Sequence, residues 1–516
     1  MTLSGIESKE RSNSPGTQKR RWDNLDQGLI IIGLLALLNL ILHLIFNGNY
    51  SFFRDELSYL EDARRLDWGF VDHPWLTPLI GSLAHLLFGD SVWGLRLFPA
   101  LATSGVIFLT GLTVRELGGG RFAQGLAALA VLVSPIFLGF GVLFQSAPFE
   151  QLLWTGACYF MVKILKRDDP KWWPWVGLLI GLSANNKYSI FFFVFGLGLA
   201  LLLTPARKYL LTRWFWLGAL LGLLILLPNL IWQIQHNFVS FDYTRSINAR
   251  DVSIGRADGF LPEQFWMITN LFAVPIWLVG LYYFIFKEKR YRALGLQFLI
   301  VLAVFIVMRG RSYYLSPAYP VLLAGGAYLW EKWLANRRVI KPLWLSALAL
   351  TGLLFVPATL PVFPVGSDGF KSASGVNDTF KEMVGWEELV AETANIYRGL
   401  SPQEQANTAI LANNYGEAGA IDLYGPAYGL PQAISPVNSY YYWSQNRLKA
   451  TTYIVLGSRP EDATELSASC GKLEQIVPRF ANRYNVKNEE SHYSIYLCRN
   501  PKISLEQAWP SLKRYG

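Results

Sequence analysis

Long apolar runs occupy most of this chain up to residue 362, and they constrain its fold more than any other feature. About eleven of them are long enough, or nearly so, to cross a bilayer, which takes about 20 residues. Only 16% of the residues are charged, compared with about 25% in ordinary soluble proteins. The sequence therefore predicts a polytopic α-helical membrane protein with about eleven transmembrane helices, near 27–47, 92–114, 122–142, 147–166, 173–187, 189–205, 214–233, 266–286, 292–309, 313–333 and 341–362.

Basic residues between these runs predict the orientation. If the N-terminus is cytosolic, the loops on that side carry most of the lysines and arginines, as the positive-inside rule requires. An odd number of spans then puts residues 363–516 outside the cytosol. The net charge of +9 comes from small clusters and not from one basic stripe, which argues against a nucleic-acid partner.

The chain divides into three predicted parts. Residues 1–25 are polar and basic, so we expect a disordered cytosolic tail before a retained first helix. Residues 26–362 form the transmembrane domain, with a long outer loop at 48–91 and a second polar loop at 234–265 that could close over a site. Residues 363–516 regain charge and contain three strand-like segments, which predicts an extracytoplasmic, periplasmic α/β domain. The segments are 408–412, 452–456 and 493–497.

Two cysteines, Cys470 and Cys498, lie in this polar C-terminal part. If these residues are outside the cytosol, a disulfide is one alternative and two free thiols are the other.

The first outer loop begins with Arg54, Asp55 and Glu56 side by side. One interpretation is the first turn of a helix that starts near Phe53, where acidic residues are favoured. The other is a general base with its supporting group. The pattern alone leaves both open.

Further polar residues are expected at the same outer face: Asp72, His73, Glu150, Lys187, Tyr188, Arg309, Arg311, Tyr313 and Tyr314. Taken singly, the cations could extend toward the interface, the tyrosines could form an aromatic belt, and His73 is better explained as structural than as a metal ligand. Taken together, they combine carboxylates that can deprotonate a hydroxyl or bind a metal with cations that can bind a phosphate. A lipid-linked phosphosugar requires both.

Several motifs resemble those of bacterial glycosyltransferase family 39 membrane proteins, within the GT-C superfamily. These proteins are related to protein O-mannosyltransferases and to the aminoarabinose transferases that modify lipid A. The resemblance covers nearly the whole chain after residue 25. The motifs are Arg54-Asp-Glu-Leu-Ser-Tyr, Trp68-Gly-Phe-Val-Asp-His-Pro, Gly94-Leu-Arg-Leu-Phe-Pro, Arg115-Glu-Leu-Gly-Gly-Gly, Asn186-Lys-Tyr-Ser, Leu227-Pro-Asn-Leu-Ile-Trp, Tyr313-Tyr-Leu-Ser-Pro-Ala-Tyr-Pro and Asn414-Tyr-Gly-Glu-Ala-Gly-Ala-Ile-Asp.

This resemblance implies an inverting hexosyl or pentosyl transfer at the outer face of the bacterial inner (plasma) membrane. The donor would be a polyprenyl-phosphate sugar, and the acceptor a hydroxyl of a lipid, a glycan or a protein. Asp55 would be the general base, supported by Glu56. Whether the reaction needs a divalent metal stays open, because metal use varies within the family. The residues expected to bind substrate are Arg54, Asp72, His73, Glu150, Lys187, Tyr188, Arg309 or Arg311, Tyr313 and Tyr314.

Two other classes of protein compete with an enzyme. A transporter or flippase of a lipid-linked saccharide would often show inverted repeats and midplane charges, whereas the polar groups here cluster at one face. A glycan-binding scaffold would need far fewer than eleven spans as an anchor.

Overall fold

The computed structural model describes residues 15–337, 339–459, 462–488 and 490–516, with side chains from residue 27 onward except at His492. Residues 1–14 of the predicted cytosolic tail lie outside these ranges. The first helix, α1, spans Pro15–Phe46 and so begins within the residues predicted to be disordered.

Up to residue 362 the described chain is helical, and every predicted apolar run contains a helix. The helices are α1, α2 (Arg54–Arg64), α3 (Leu76–Phe88), α4 (Val92–Leu117), α5 (Arg121–Leu132), α6 (Pro135–Phe140), α7 (Ser146–Arg167), α8 (Trp173–Ala184), α9 (Ile190–Leu202), α10 (Arg213–Gln235), α11 (Val239–Ser253), α12 (Phe260–Trp266), α13 (Val274–Tyr282), α14 (Arg292–Val307), α15 (Tyr319–Trp333) and α16 (Ile340–Thr359).

Five of these helical segments are long and apolar enough to cross a membrane, or six if the bent pair Ile190–Leu202 and Pro205–Leu211 counts as one span. The protein is therefore a multi-pass membrane protein. Some predicted runs are broken: the run at 122–142 divides between α5 and α6, where Pro135 begins the second helix. The count of about eleven spans stays a prediction.

Glycines let several membrane helices pack backbone against backbone. A Cβ on Gly177 of α8 would lie 1.9 Å from the carbonyl oxygen of Gly218 in α10. A Cβ on Gly326 of α15 would lie 1.8 Å from the carbonyl oxygen of Ile276 in α13. Small residues at such contacts are typical of helix association in lipid, where close van der Waals packing replaces the hydrophobic driving force.

Beyond residue 362 the chain forms further helices and a four-stranded sheet. The helices are α17 (Asp368–Val376), α18 (Trp386–Arg398), α19 (Pro402–Gln405), α20 (Tyr415–Tyr424), α21 (Asn438–Trp443), α22 (Ala463–Ser469) and α23 (Leu505–Leu512). The strands are β1 (Thr408–Leu411), β2 (Thr452–Ser458), β3 (Cys470–Val477) and β4 (Ser494–Pro501).

The strand order is β1-β2-β4-β3. β1 pairs with β2 in parallel, and the other two pairs are antiparallel. The three predicted strands are confirmed. Strand β3 was not predicted, because it is a sheet edge whose side chains are mostly exposed or half-buried. A disulfide joins Cys470 in β3 to Cys498 in β4.

The C-terminal residues share a hydrophobic core with the first loop. Leu57 and Leu60 of α2 belong to the same buried cluster as Trp386 of α18 and Ile421 of α20. This common core brings α20 against α2, the helix that carries Asp55 and Glu56.

Candidate active site

Helix α2 begins at Arg54, so the interpretation of this stretch as a helix start is confirmed. Asp55 and Glu56 both lie in its first turn. The Phe53 amide donates to Glu56 Oε2 at 2.8 Å and thereby satisfies one of the open N–H groups at the helix end. Being in a helix start does not exclude chemistry, because the two acids have different surroundings.

Glu56 is fully buried against α4. Its carboxylate pairs with the Arg96 guanidinium at 2.7 Å, and neither side chain has exposed surface. Glu56 Oε1 also accepts from the Phe144 amide at 2.8 Å. These contacts make Glu56 a group that anchors α2.

Asp55 points the other way, and 36% of its side-chain surface is exposed. The Tyr415 hydroxyl, at the first residue of α20, donates to Asp55 Oδ1 at 2.6 Å. The Arg54 guanidinium lies 5.5 Å from the centre of the Tyr415 ring. A partly exposed carboxylate on a rigid helix start can accept a proton from a substrate hydroxyl.

Asp62, Asp72 and His73 form a second group of acidic and basic side chains in the first loop. Their potential ligand atoms lie within 4.8 Å of one another. His73 Nε2 already pairs with Asp62 Oδ2 at 2.9 Å, and its ring stacks on Tyr59 with 4.4 Å between ring centres. These contacts favour the structural interpretation of His73.

Electrostatics favour an ion pair at His73. Burial alone would lower the pKa of His73, but the charges of Asp72 and Asp62 outweigh it and raise that pKa to about 9. Burial raises the pKa of Asp62 to about 6, although His73 opposes the rise. Between these values the pair is an imidazolium and a carboxylate. A metal ion at this trio would have to displace the proton of His73, because an imidazolium has no lone pair for a metal.

Lys187 lies in the loop between α8 and α9, and the side chain of the preceding residue, Asn186, holds this loop in place. The Asn186 side chain accepts from Thr77 Oγ1 at 2.7 Å and donates to the Ser146 carbonyl oxygen at 2.8 Å. Lys187 Nζ then lies 3.2 Å from Glu150 Oε2. It also lies 5.0 and 4.8 Å from the ring centres of Tyr313 and Tyr314, respectively.

The two candidate arginines of the loop before α15, Arg309 and Arg311, have different partners. Arg311 pairs through Nε with the buried carboxylate of Asp251 in α11. Arg309 instead pairs with Asp258 at 2.8 Å, and both of those side chains are more than half exposed. Arg311 therefore belongs with Lys187, and Arg309 does not. Arg311 is close enough that its positive charge acts on Lys187.

Tyr243 of α11 is affected by charges from the acidic group and from a tyrosine of the basic group. Burial first, and then the charges of Asp72 and Asp55 together with Tyr415 and Tyr314, raise its pKa well above the ordinary value. Its neighbours thus come from both halves of the site. That loop 234–265 closes over a site stays a prediction.

Tyr188, in contrast, turns its hydroxyl toward α10. It donates to Asn229 Oδ1 at 3.0 Å and accepts from Gln233 Nε2 at 2.7 Å.

Three residues of the site were not foreseen from the sequence. Tyr415 occurs in a family-like motif but was not assigned a role, while Tyr243 and Asp251 lie in the polar loop without a motif of their own. Only packing brings them to residues that are distant in the chain.

The family model for dolichyl-phosphate-mannose-protein mannosyltransferases matches residues 72–232. The lipid A galacturonosyltransferase RgtD of Rhizobium johnstonii is 25% identical over 260 residues, which is 48% of this chain and 54% of that protein. The undecaprenyl phosphate-α-4-amino-4-deoxy-L-arabinose arabinosyl transferase 2 of Pseudomonas fluorescens is 23% identical over 418 residues, 69% of this chain and 65% of that protein. The matches thus span less than two-thirds of each relative.

The crystal structure of ArnT from Cupriavidus metallidurans bound to undecaprenyl phosphate superimposes with a TM-score of 0.58 at 14% identity, covering 90% of this chain and 97% of ArnT. This likeness shows the fold. The resemblance to glycosyltransferase family 39, within the GT-C superfamily, that the motifs indicated is confirmed as a resemblance by the family model and the two relatives.

Proposed function

We propose that this protein transfers a sugar from a polyprenyl-phosphate donor to an acceptor hydroxyl, with inversion at the sugar carbon. One observation carries the proposal. The partly exposed carboxylate of Asp55 and Tyr314, whose ring centre lies 4.8 Å from Lys187 Nζ, both act through their charge on the half-buried Tyr243, so the acidic and the basic groups share a neighbour.

In this reaction Asp55 accepts the proton of the acceptor hydroxyl as the new bond to the sugar forms. General-base help of this kind contributes about 10²- to 10⁴-fold. The bond between the sugar carbon and the phosphate oxygen breaks at the same time, on the opposite face of the sugar. Lys187 and Arg311 neutralise the charge that builds on the departing phosphate, which is commonly worth about 3–4 kcal/mol per well-placed donor.

The lipid tail and the fold supply the alignment. A polyprenyl chain stays in the bilayer and restricts its phosphate to the membrane surface, which lowers the entropy lost on reaching Lys187. The name of the arabinosyl transferase relative and the lipid bound to ArnT support a polyprenyl-phosphate donor. The basic-residue bias supports an outer-face reaction at the bacterial inner membrane.

Reconstitution in liposomes tests the proposal. The purified protein receives polyprenyl-phosphate hexoses, pentoses or uronic acids together with an envelope extract as acceptor, and released polyprenyl phosphate is measured. We expect release with one donor class and its loss in Asp55→Asn. Asp90→Asn is the matched control, because Asp90 is an exposed acid of the same loop that pairs with Arg64. Equal release by wild type and Asp55→Asn would contradict the role of Asp55.

The same assay separates an enzyme from a flippase. A flippase moves the intact donor lipid between leaflets and releases no polyprenyl phosphate. Movement of a labelled donor without sugar transfer would therefore favour that alternative.

A further inference from the structure

We propose that Tyr415 is a positioning residue for Asp55, so that the C-terminal residues complete the active site. Its hydroxyl donates to Asp55 Oδ1 at 2.6 Å, across 360 residues of sequence. This contact fixes the rotamer of the carboxylate and directs Oδ2 toward the acceptor hydroxyl. The inference rests on the proposed function, which gives Asp55 its role.

The start of α20, which carries Tyr415, is held firmly. The Asn414 side chain accepts from the Glu417 amide at 2.8 Å, and Glu417 Oε2 accepts from the Asn414 amide at 3.4 Å. This reciprocal capping satisfies the open N–H groups of the first turn. The phenol therefore extends from a backbone with little freedom.

Close helix contact sets the distance between α20 and α2. A Cβ on Gly416 would lie 2.3 Å from Arg54 Cγ, and a Cβ on Gly419 would lie 2.8 Å from Leu57 Cβ. The two glycines thus let α20 lie directly on the helix that carries Asp55. A residue with a side chain at either position would push the Tyr415 hydroxyl away from the carboxylate.

The phenol acts on Asp55 as a donor and does not compete with it as a base. Burial, followed by the charge of Asp55, raises the pKa of Tyr415 well above its ordinary value, so the hydroxyl keeps its proton. An O–H group that donates to a carboxylate forms one of the stronger hydrogen bonds in proteins. It stabilises the ionised form, which is the form a general base requires.

Other contacts attach α20 to the first loop without touching Asp55. The Tyr424 hydroxyl lies 3.2 Å from Ser51 Oγ, and Arg65 Nη2 lies 3.4 Å from Asp422 Oδ2. The contacts that dock α20 on the first loop are therefore distinct from the contact that positions Asp55, and different variants can test the two roles. Tyr424→Phe is the matched control for Tyr415→Phe, because each removes one phenol hydroxyl of α20 that contacts the first loop.

The pH–rate profile is the first readout. We expect Tyr415→Phe to lower kcat about 10- to 100-fold, which corresponds to one hydrogen bond to a charged group. We also expect the acidic limb of its profile to move up by about one pH unit, because the lost donor favours the protonated carboxyl. KM should change little, and Tyr424→Phe should match the wild type. Identical profiles for the two variants would overturn the proposal.

A second readout does not need turnover. A hydrophobic carbodiimide labels protonated carboxyl groups, and mass spectrometry follows the labelling of Asp55 against pH. The labelling midpoint should rise in Tyr415→Phe and stay unchanged in Tyr424→Phe; an unchanged midpoint in Tyr415→Phe overturns the inference. A shifted midpoint in a protein that releases no polyprenyl phosphate would count against the proposed function alone.

A third variant covers the case in which Tyr415→Phe does not fold. Fluorotyrosine incorporated at position 415 keeps the ring and the hydroxyl but makes the phenol a stronger donor. The labelling midpoint of Asp55 should then move down. An unchanged midpoint in that variant would also overturn the proposal.

Discussion

Glu56 and Arg96 form an ion pair in which neither side chain has any exposed surface. Arg96 also donates to the carbonyl oxygens of Asn47 and Ser51, at 2.7 and 2.8 Å, respectively. The start of α2 is thereby fixed to α4 and to the end of the preceding segment. The adjacent residue, Asp55, is left partly exposed on a helix start that these contacts hold in place.

We predict that Glu56→Gln destabilises the protein, whereas Asp55→Asn does not. Removing one partner of a buried ion pair costs about 3–5 kcal/mol, because the other charge is left without compensation. Asp55 is partly exposed, so its amide should fold normally and lose only turnover. Thermal unfolding in detergent measures both variants.

The double variant Glu56→Gln with Arg96→Met provides the check on this explanation. Removing both charges should recover part of the lost stability. If the double variant is as unstable as Glu56→Gln, the ion pair is not the cause.

Lys187→Met should lower turnover about 10²- to 10³-fold, the usual cost of losing one donor to a developing anion. It also leaves the buried Glu150 carboxylate without its partner at 3.2 Å. Lys208→Met is the control, because Lys208 pairs with Asp168 at an exposed position. Similar turnover in the two variants would contradict the proposed role of Lys187 in the site.

The two arginines of the loop before α15 should behave differently. Arg311→Met should reduce turnover about 100-fold or more, because Arg311 contacts the buried Asp251 beside Lys187. Arg309→Met should change it less than about 3-fold, since its exposed pair with Asp258 contributes little. Steady-state rates of polyprenyl phosphate release measure both variants. A larger loss of turnover in Arg309→Met than in Arg311→Met would reassign the phosphate contact to Arg309.

His73 should stabilise the protein in a pH-dependent way. Its pKa is raised from 6.5 to about 9 in the folded protein, so its contribution is fully present below pH 6.5 and is lost as the pH rises through 9. The pKa of Asp62 is raised to about 6, so below that pH the partner of His73 also becomes protonated. The contribution of His73 is therefore best measured between about pH 6.5 and 9.5. The stability lost in His73→Asn, on the order of 2–3 kcal/mol at pH 6.5, should shrink toward pH 9.5.

Thermal unfolding of wild type and His73→Asn across this range measures the trend. His85→Asn is the control, because His85 pairs with Asp90 at a largely exposed position and should change stability little at any pH. A loss in His73→Asn that grows with pH would contradict the ion-pair explanation.

Labelling in intact cells tests the predicted topology. A cysteine in place of Lys449, whose side chain is 84% exposed, should react with a membrane-impermeant thiol reagent if residues 363–516 lie outside the cytosol. A cysteine in place of Lys208, which is 56% exposed, should be protected because its loop is predicted to be cytosolic. The native thiols do not interfere, since Cys158 is buried and Cys470 and Cys498 form a disulfide. Protection at position 449 would reverse the topology.

The helices of the apolar runs, and most of the strands, could be predicted from local pattern, whereas α11 and α12 lie in a segment predicted to be a polar loop. Backbone groups in lipid must find partners within the same segment, so a long apolar run becomes a helix whatever surrounds it. For this reason each predicted run contains a helix, and Arg54 begins α2 as the paired acids indicated. The edge strand β3 escaped prediction because its exposed residues carry no alternation of apolar and polar side chains.

The sequence by itself determined a multi-pass helical protein, its family resemblance and the segments from which the candidate site is built. Only the tertiary structure decided which of the two adjacent acids is buried and which is exposed. Successive helical residues point about 100° apart, so burying Glu56 against Arg96 turns Asp55 outward. The contact between Asp55 and Tyr415, like the choice of Arg311 over Arg309, depends on packing between segments that local periodicity does not encode.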